Sequence, residues 1–169
     1  MTRREFLTTT AFASAYMMIS TKGFAMFGSN KKEVQQNFPY QLSDQEWKNK
    51  LTESEYDVLR DHGTERAFTS PLNENKVEGV YACAGCGQDL FSSEHKFDSG
   101  TGWPSFYQPI DGVNGNAIGE MEDNKLWMKR TEVHCSNCGG HQGHVFPDGP
   151  EPTGLRYCIN GVALDFKEA

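Results

Sequence analysis

Two matched cysteine pairs, Cys83-x-x-Cys86 and Cys135-x-x-Cys138, constrain how this chain can fold more than any other feature. Each pair spans one tight turn, and two such turns supply the four thiolates of a tetrahedral zinc site, with bonds of about 2.3 Å. The residues inside the turns are small or turn-forming, and Gly87 and Gly139 follow them, so the backbone can wrap an ion closely. The interval from Cys86 to Cys135 is longer than in a simple zinc ribbon, so a sheet has to bring the turns together. Four ligands close the sphere, which makes the expected metal, one zinc ion per chain, structural. Disulfides, a redox-active CxxC or an iron–sulfur centre are the competing uses of the same residues.

The chain has five cysteines, so one is left over. Cys158 stands alone in Arg156-Tyr157-Cys158-Ile159-Asn160. A reactive cysteine needs its thiolate favoured. On a strand Arg156, Cys158 and Asn160 share a face, so the guanidinium can stabilise that thiolate and the Asn160 amide can bond a ligand oxygen. A lone cysteine is more often an inert core residue, but flanking arginine and asparagine argue against a purely apolar pocket. His141 and His144 follow the second pair closely, in His141-Gln-Gly-His144-Val-Phe146. With four cysteines completing the metal sphere, these imidazoles are free for proton transfer. Taken alone, they would more often be hydrogen-bonded surface groups. Trp103, held between Gly102 and Pro104, can wall a small apolar pocket. Judged from its own segment, it reads more readily as core filling.

The formal charge is −7; the first 25 residues hold Arg3, Arg4 and Lys22 against Glu5, a local +2, so the rest carries −9. An acidic body argues against a nucleic-acid partner, which needs a basic footprint. Frequent glycine and 12% aromatic residues suit a loop-rich sheet protein. Arg3-Arg4-x-Phe6-Leu7 ahead of a diluted apolar stretch resembles a twin-arginine export signal over residues 1–25, with cleavage after Ala25. An uncleaved tail or membrane anchor is the alternative. That route carries folded proteins, so a metal site loaded in the reducing cytoplasm would cross with its thiolates protected. Residues 26–41 read as a polar linker and residues 42–169 as the domain.

Ser43-x-x-Glu46 and Thr52-x-x-Glu55 are capping boxes for two short helices, with Leu42/Trp47 and Leu51/Tyr56 as their staples. Gly63 suits the C′ position of the second helix. From about Val77 the pattern changes to short strands. One leads into each CxxC, and Val162, Leu164 and Phe166 alternate with polar or small residues as a half-buried strand.

Together these residues resemble the B-type methionine sulfoxide reductase family, which reduces methionine-R-sulfoxide. The matching segments are His62-Gly63-Thr64-Glu65, the two CxxC pairs, SGTGWPSF, GHVFPDGP, PTGLRYCIN and the closing strand, spanning about residues 40–166. The resemblance implies a mainly β (α+β) fold of antiparallel sheets, a β-tent, Mss4-like barrel with short N-terminal helices and a four-cysteine zinc site away from the active site. It also implies Cys158 as nucleophile, with His144, His141 and Asn160 as its catalytic companions. Trp103, Phe146 and Arg156 would bind substrate, and Cys83, Cys86, Cys135 and Cys138 would hold the zinc. Many members carry a resolving cysteine at the position of Thr101, so the chain resembles the one-cysteine subclass.

The expected chemistry is attack of the Cys158 thiolate on a sulfoxide sulfur, chiefly in oxidised proteins or peptides, leaving methionine and a sulfenic acid. A thioredoxin-like protein or another thiol then has to reduce that acid, through an electron relay if a membrane intervenes. The twin-arginine translocase is the expected partner in export, the periplasm the expected location, with a membrane tether if the signal is uncleaved, and a monomer the expected state. Two rival readings are a zinc-knuckle binding module without catalysis and a periplasmic disulfide oxidoreductase using one CxxC.

Overall fold

Ser43 and Thr52 each open a helix, α1 (Asp44–Lys50) and α2 (Glu53–Leu59), in a computed structural model that describes residues 37–112, 115–124 and 129–169. The expected export signal and residues 26–36 of the expected linker lie outside the described residues. Both capping boxes form: each hydroxyl accepts the backbone N–H three residues on, and Glu46 and Glu55 return the bond. Each helix has seven residues, too short to persist alone in water. Burial of Trp47 on α1 and of Val58 and Leu59 on α2 holds them down. Gly63 is not a C′ residue. The helix caps at Arg60, the left-handed residue is His62 (φ 58°), and the Gly63 N–H closes the turn on the Asp57 carbonyl at 2.9 Å. Phe38 and Tyr40 already touch the domain, with the Phe38 ring edge-on to His134 at 5.5 Å and the Tyr40 N–H on the Asn137 carbonyl at 2.8 Å.

The remainder is antiparallel sheet, as the mainly β expectation requires. β1 (Gly79–Cys83), β2 (Asp89–Ser92) and β11 (Leu164–Glu168) form a three-stranded sheet in the order β11-β1-β2. The larger sheet has six strands: β3 (Lys96–Phe97), β4 (Ser105–Phe106), β10 (Arg156–Ile159), β9 (His141–Phe146), β8 (Arg130–Cys135) and β7 (Ile118–Asp123), in that order. A small hairpin pairs β5 (Asp111–Gly112) with β6 (Gly115–Asn116). Leu164 and Phe166 face inward and Asp165 outward, as their alternation predicts, but Val162 belongs to a 3₁₀ turn at Gly161–Ala163 ahead of the strand.

The core lies between the two sheets. Tyr81 and Phe91 from the smaller sheet meet Phe106 from the larger, with ring centroids 5.0 and 4.4 Å apart. All three are fully buried. The first pair is edge-to-face and the second stacked, and such pairs add about 1 kcal/mol each beyond their buried area. The aromatic layer fixes β4 beside β10, and so fixes what stands on β10.

Candidate active site and metal centre

β1 ends at Cys83 and β8 at Cys135, so each CxxC is the turn that follows a strand. The two turns repeat one hydrogen-bond pattern. Gly87 and Gly139 donate to the Cys83 and Cys135 carbonyls at 2.7 and 2.9 Å, and Cys83 and Cys135 donate to Gln88 and Gly140 at 2.8 and 2.9 Å. Gly87 and Gly139 have φ of 76° and 70°, the region that favours glycine. Sulfurs bound to one tetrahedral zinc ion stand about 3.8 Å apart. Here Cys83 and Cys138 lie at 3.7 Å and Cys86 and Cys135 at 3.5 Å. A Cβ at Gly85 would come within 3.5 Å of Cys83 Sγ and 3.6 Å of Cys138 Sγ, so the glycine leaves the cradle room. Hydrogen bonding inside the cluster, that with Cys135 foremost, raises the Cys83 and Cys138 thiols. A cation would relieve that by taking all four as thiolates. The donor set and its spacing fit a structural metal held by Cys83, Cys86, Cys135 and Cys138.

Cys158 is apart from this cluster, in β10. Its partner on β9 is His144 and its partner on β4 is Ser105. Directly paired residues share a face with Cβ atoms about 5 Å apart, so thiol and imidazole stand side by side. Arg156 pairs with Phe146 in the same way, with its guanidinium carbon 4.6 Å from the ring centroid. Cys158, His144, Arg156 and Phe146 therefore form one two-by-two patch. Thr101 joins it, its Oγ1 4.0 Å from Cys158 Sγ. Trp103 lies between Thr101 and Ser105 in the chain. Its indole N–H donates to the Glu65 carbonyl at 3.1 Å, and the ring is half-buried.

Burial pushes the Cys158 thiol up, and the Arg156 charge and then the Thr101 hydroxyl pull it part of the way back. The arginine thus acts in the expected direction without prevailing. Its guanidinium makes a paired bond to Asp148, at 2.9 Å on both arms. Burial also pushes His144 down, against its 2.9 Å bond to Asp123. Both effects favour neutral forms at rest, a thiol beside an imidazole.

Asn160 departs from the expectation. β10 ends at Ile159, and Asn160 turns away to cap the 3₁₀ turn. Its amide nitrogen donates to the Gln142 carbonyl at 3.0 Å, its oxygen accepts the Glu65 N–H at 3.1 Å, and the residue is 3% exposed. It braces the loop after Cys158, one residue beyond the end of β10. Glu65 completes the brace, its carboxylate accepting the Gly161 N–H and, at 3.0 Å, the Val162 N–H. One residue thereby ties together the Trp103 indole, Asn160 and the turn following the reactive strand.

His141 reaches the same face as His144 through a bulge. An odd spacing of three would put the two rings on opposite faces of a regular strand. The β8–β9 register runs Val133↔Gly143 and then His134↔His141, so Gln142 is the extra residue and absorbs the mismatch. The rings of His141 and His144 lie 5.5 Å apart. The sequence alone assigns no role to Glu65, Asp123, Glu132 or Asp148. A carboxylate on a strand normally reads as solvent-facing, and each partner here is distant in the chain or beyond a turn.

Comparison with known proteins agrees with this geometry. Residues 51–168 match the family model described as the SelR domain. The chain is 53% identical over 133 residues to a peptide methionine sulfoxide reductase MsrB of Leptospira interrogans, covering 78% of this chain and 98% of that protein. It is 58% identical over 124 residues to the protein of the same name from Methanosarcina mazei, covering 73% and 86%. With that of Agrobacterium fabrum it shares 53% over 125 residues, covering 74% and 90%.

Proposed function

The chain belongs to the SelR-domain family of B-type methionine sulfoxide reductases, and from that premise we propose that it reduces methionine-R-sulfoxide, mainly in proteins, through a sulfenic acid on Cys158. The observation that carries this reading is the register of β10, which sets a cysteine outside the metal cluster directly against His144 and beneath Thr101. In the proposed reaction, His144 takes the Cys158 proton and the thiolate attacks the sulfoxide sulfur. That attack forms an S–S bond while His144 returns the proton to the oxygen, and the hydroxyl then passes to Cys158 Sγ as the S–S bond and the S–O bond to the substrate sulfur break. Methionine leaves and Cys158 carries S–OH, so the thiol is oxidised by two electrons and the sulfoxide reduced by two, with no proton gained or lost. Trp103 supports the reading as the wall for the substrate methyl group, and Phe146 with Arg156 as the floor beside it.

Zinc is the metal this reading assigns to Cys83, Cys86, Cys135 and Cys138, supplying structure rather than chemistry. An external thiol, thioredoxin-like or small, closes the cycle. We assign residues 1–25 to twin-arginine export, placing repair of oxidised proteins in the periplasm by a monomer, tethered to the membrane if the signal stays on.

The test is reduction of separated R and S epimers of a methionine sulfoxide peptide with dithiothreitol as donor. Turnover of the R epimer alone is expected; equal use of both, or of S alone, would overturn the assignment. A second result is expected of Thr101→Cys. Because Thr101 Oγ1 already touches Cys158 Sγ, the introduced thiol should capture the sulfenic acid after one turnover. Mass spectrometry of the trypsinised product should then find the two segments disulfide-linked, and unlinked peptides would show that position 101 is not poised as a resolver.

A further inference from the structure

The most exposed large apolar side chain among the described residues is Phe68, with 70% of its surface in water. It stands in the turn that follows Glu65, in left-handed backbone with φ 65°. An exposed position of that kind ordinarily takes glycine, asparagine or aspartate, which tolerate the conformation and suit water. A phenylalanine there combines a disfavoured backbone with an open ring. Such outliers cluster where a protein grips a ligand.

Two hydrogen bonds lay this turn along the segment that carries Trp103. The Phe68 N–H donates to the Gly102 carbonyl at 2.8 Å, and the Trp103 indole N–H donates to the Glu65 carbonyl at 3.1 Å. The Thr69 hydroxyl closes the turn from its other side, donating to the Arg66 carbonyl at 2.6 Å. Gly102 is itself left-handed, φ 89°, and a Cβ built on it would stand 2.7 Å from the Phe68 ring. The missing side chain is what lets the ring lie against the chain. Both neighbours of Gly102 belong to the reactive patch: Thr101 lies 4.0 Å from Cys158 Sγ, and Trp103 is the proposed wall for the substrate methyl group. Phe68 is thus seated on the one residue that joins them.

We propose that Phe68 is a docking face for the residue beside the oxidised methionine, and that it selects polypeptide segments with an apolar residue there. This rests on Cys158 reducing methionine sulfoxide. The sulfoxide sulfur lies only a short side chain from its own backbone. With that sulfur at Cys158, the next residues of the substrate have to lie on the rim of the patch. An apolar neighbour laid on the open ring takes both surfaces out of water. A polar neighbour loses hydration there and gains no hydrogen bond in return. The contact is the same before and during the reaction, so it acts on KM and leaves kcat alone. A free methionine sulfoxide has no neighbouring residue and gains nothing from Phe68. Apolar neighbours are typical of methionines drawn from a protein core, whose oxidation disrupts packing.

The test compares three R-sulfoxide substrates in the full chain, with dithiothreitol as donor. They are N-acetylmethionine sulfoxide, a short peptide with leucine on both sides of the oxidised residue, and the same peptide with glutamine in both places. Wild type should show the lower KM for the leucine peptide. Phe68→Asn removes the ring and keeps a residue that tolerates left-handed backbone. It should raise KM for the leucine peptide about tenfold, the low end for an apolar contact with substrate, at unchanged kcat. Its kcat/KM for N-acetylmethionine sulfoxide and the glutamine peptide should stay at wild-type values, and Phe68→Tyr should keep the leucine preference. Equal loss on all three substrates would show that Phe68 only props Trp103, and would overturn the docking role. An unchanged KM for the leucine peptide, or no leucine preference in the wild type, would overturn it as well. Absence of R-epimer turnover by the wild type would instead overturn the proposed function itself.

Discussion

Replacing Cys158 by serine should lower sulfoxide reduction by roughly a thousandfold or more, the scale of losing an enzyme nucleophile, while metal content and melting temperature stay at wild-type values. The size of the effect follows from the chemistry. A hydroxyl has neither the nucleophilicity nor the redox range of sulfur, and the proposed reaction ends with oxygen bonded to the attacking atom. The small structural cost follows from the position. Cys158 is half-buried at the edge of the patch, while Tyr157 and Ile159 on either side face the core. The Thr101 hydroxyl, 4.0 Å from its Sγ, accommodates a serine as readily as a thiol. Epimer-resolved assays with the variant should show no turnover of either form. Retained R-epimer activity would move the nucleophile elsewhere and remove the argument built on the β9–β10 register.

The second large effect is expected at the metal centre. Cys135→Ser should abolish stoichiometric zinc binding and lower the melting temperature by more than about 10 °C. A structural zinc site is worth about 10–16 kcal/mol of coupled folding energy, comparable with the whole stability of a domain of this size. Cys135 is fully buried at the end of β8, where its N–H and carbonyl also close the turn onto Gly140 and Gly139. Losing its thiolate removes the ion and leaves three sulfurs, two of them buried, crowded without a counter-charge. Metal analysis of the purified variant alongside thermal melts provides the check. Unchanged zinc content would exclude this ligand set, and unchanged stability with zinc lost would show that the fold does not depend on the ion.

What the sequence discloses here follows from locality. Two CxxC turns and a fifth cysteine are legible because cysteine is rare and the ligand bite is fixed by a turn. The helices are legible because a capping box is complete within four residues, and β11 because Leu164, Asp165 and Phe166 alternate. The polar framework around the patch is not local. Glu132 meets His62 across most of the domain, and His144 meets Asp123 across the β7–β8 hairpin. Strand periodicity also misleads wherever a strand stops or gains a residue. It assigns Asn160 to the face of Cys158, but β10 ends at Ile159; it gives no sign that Gln142 bulges out of β9 and returns His141 to the side of His144. The helix end differs for a similar reason, since His62 rather than Gly63 takes the left-handed turn.

That extra residue in β9 has a further consequence. Gln142 sends its side chain to Cys83 Sγ at 3.4 Å, while its carbonyl holds the Asn160 backbone N–H at 2.8 Å and amide at 3.0 Å. Metal cradle and proposed reaction centre are thus back-to-back rooms, with Gln142 bonded toward both. Stripping the ion with a chelator would shake the imidazoles and the reactive strand together, so the chemistry should fade before the domain comes apart, with nothing having touched the thiol itself.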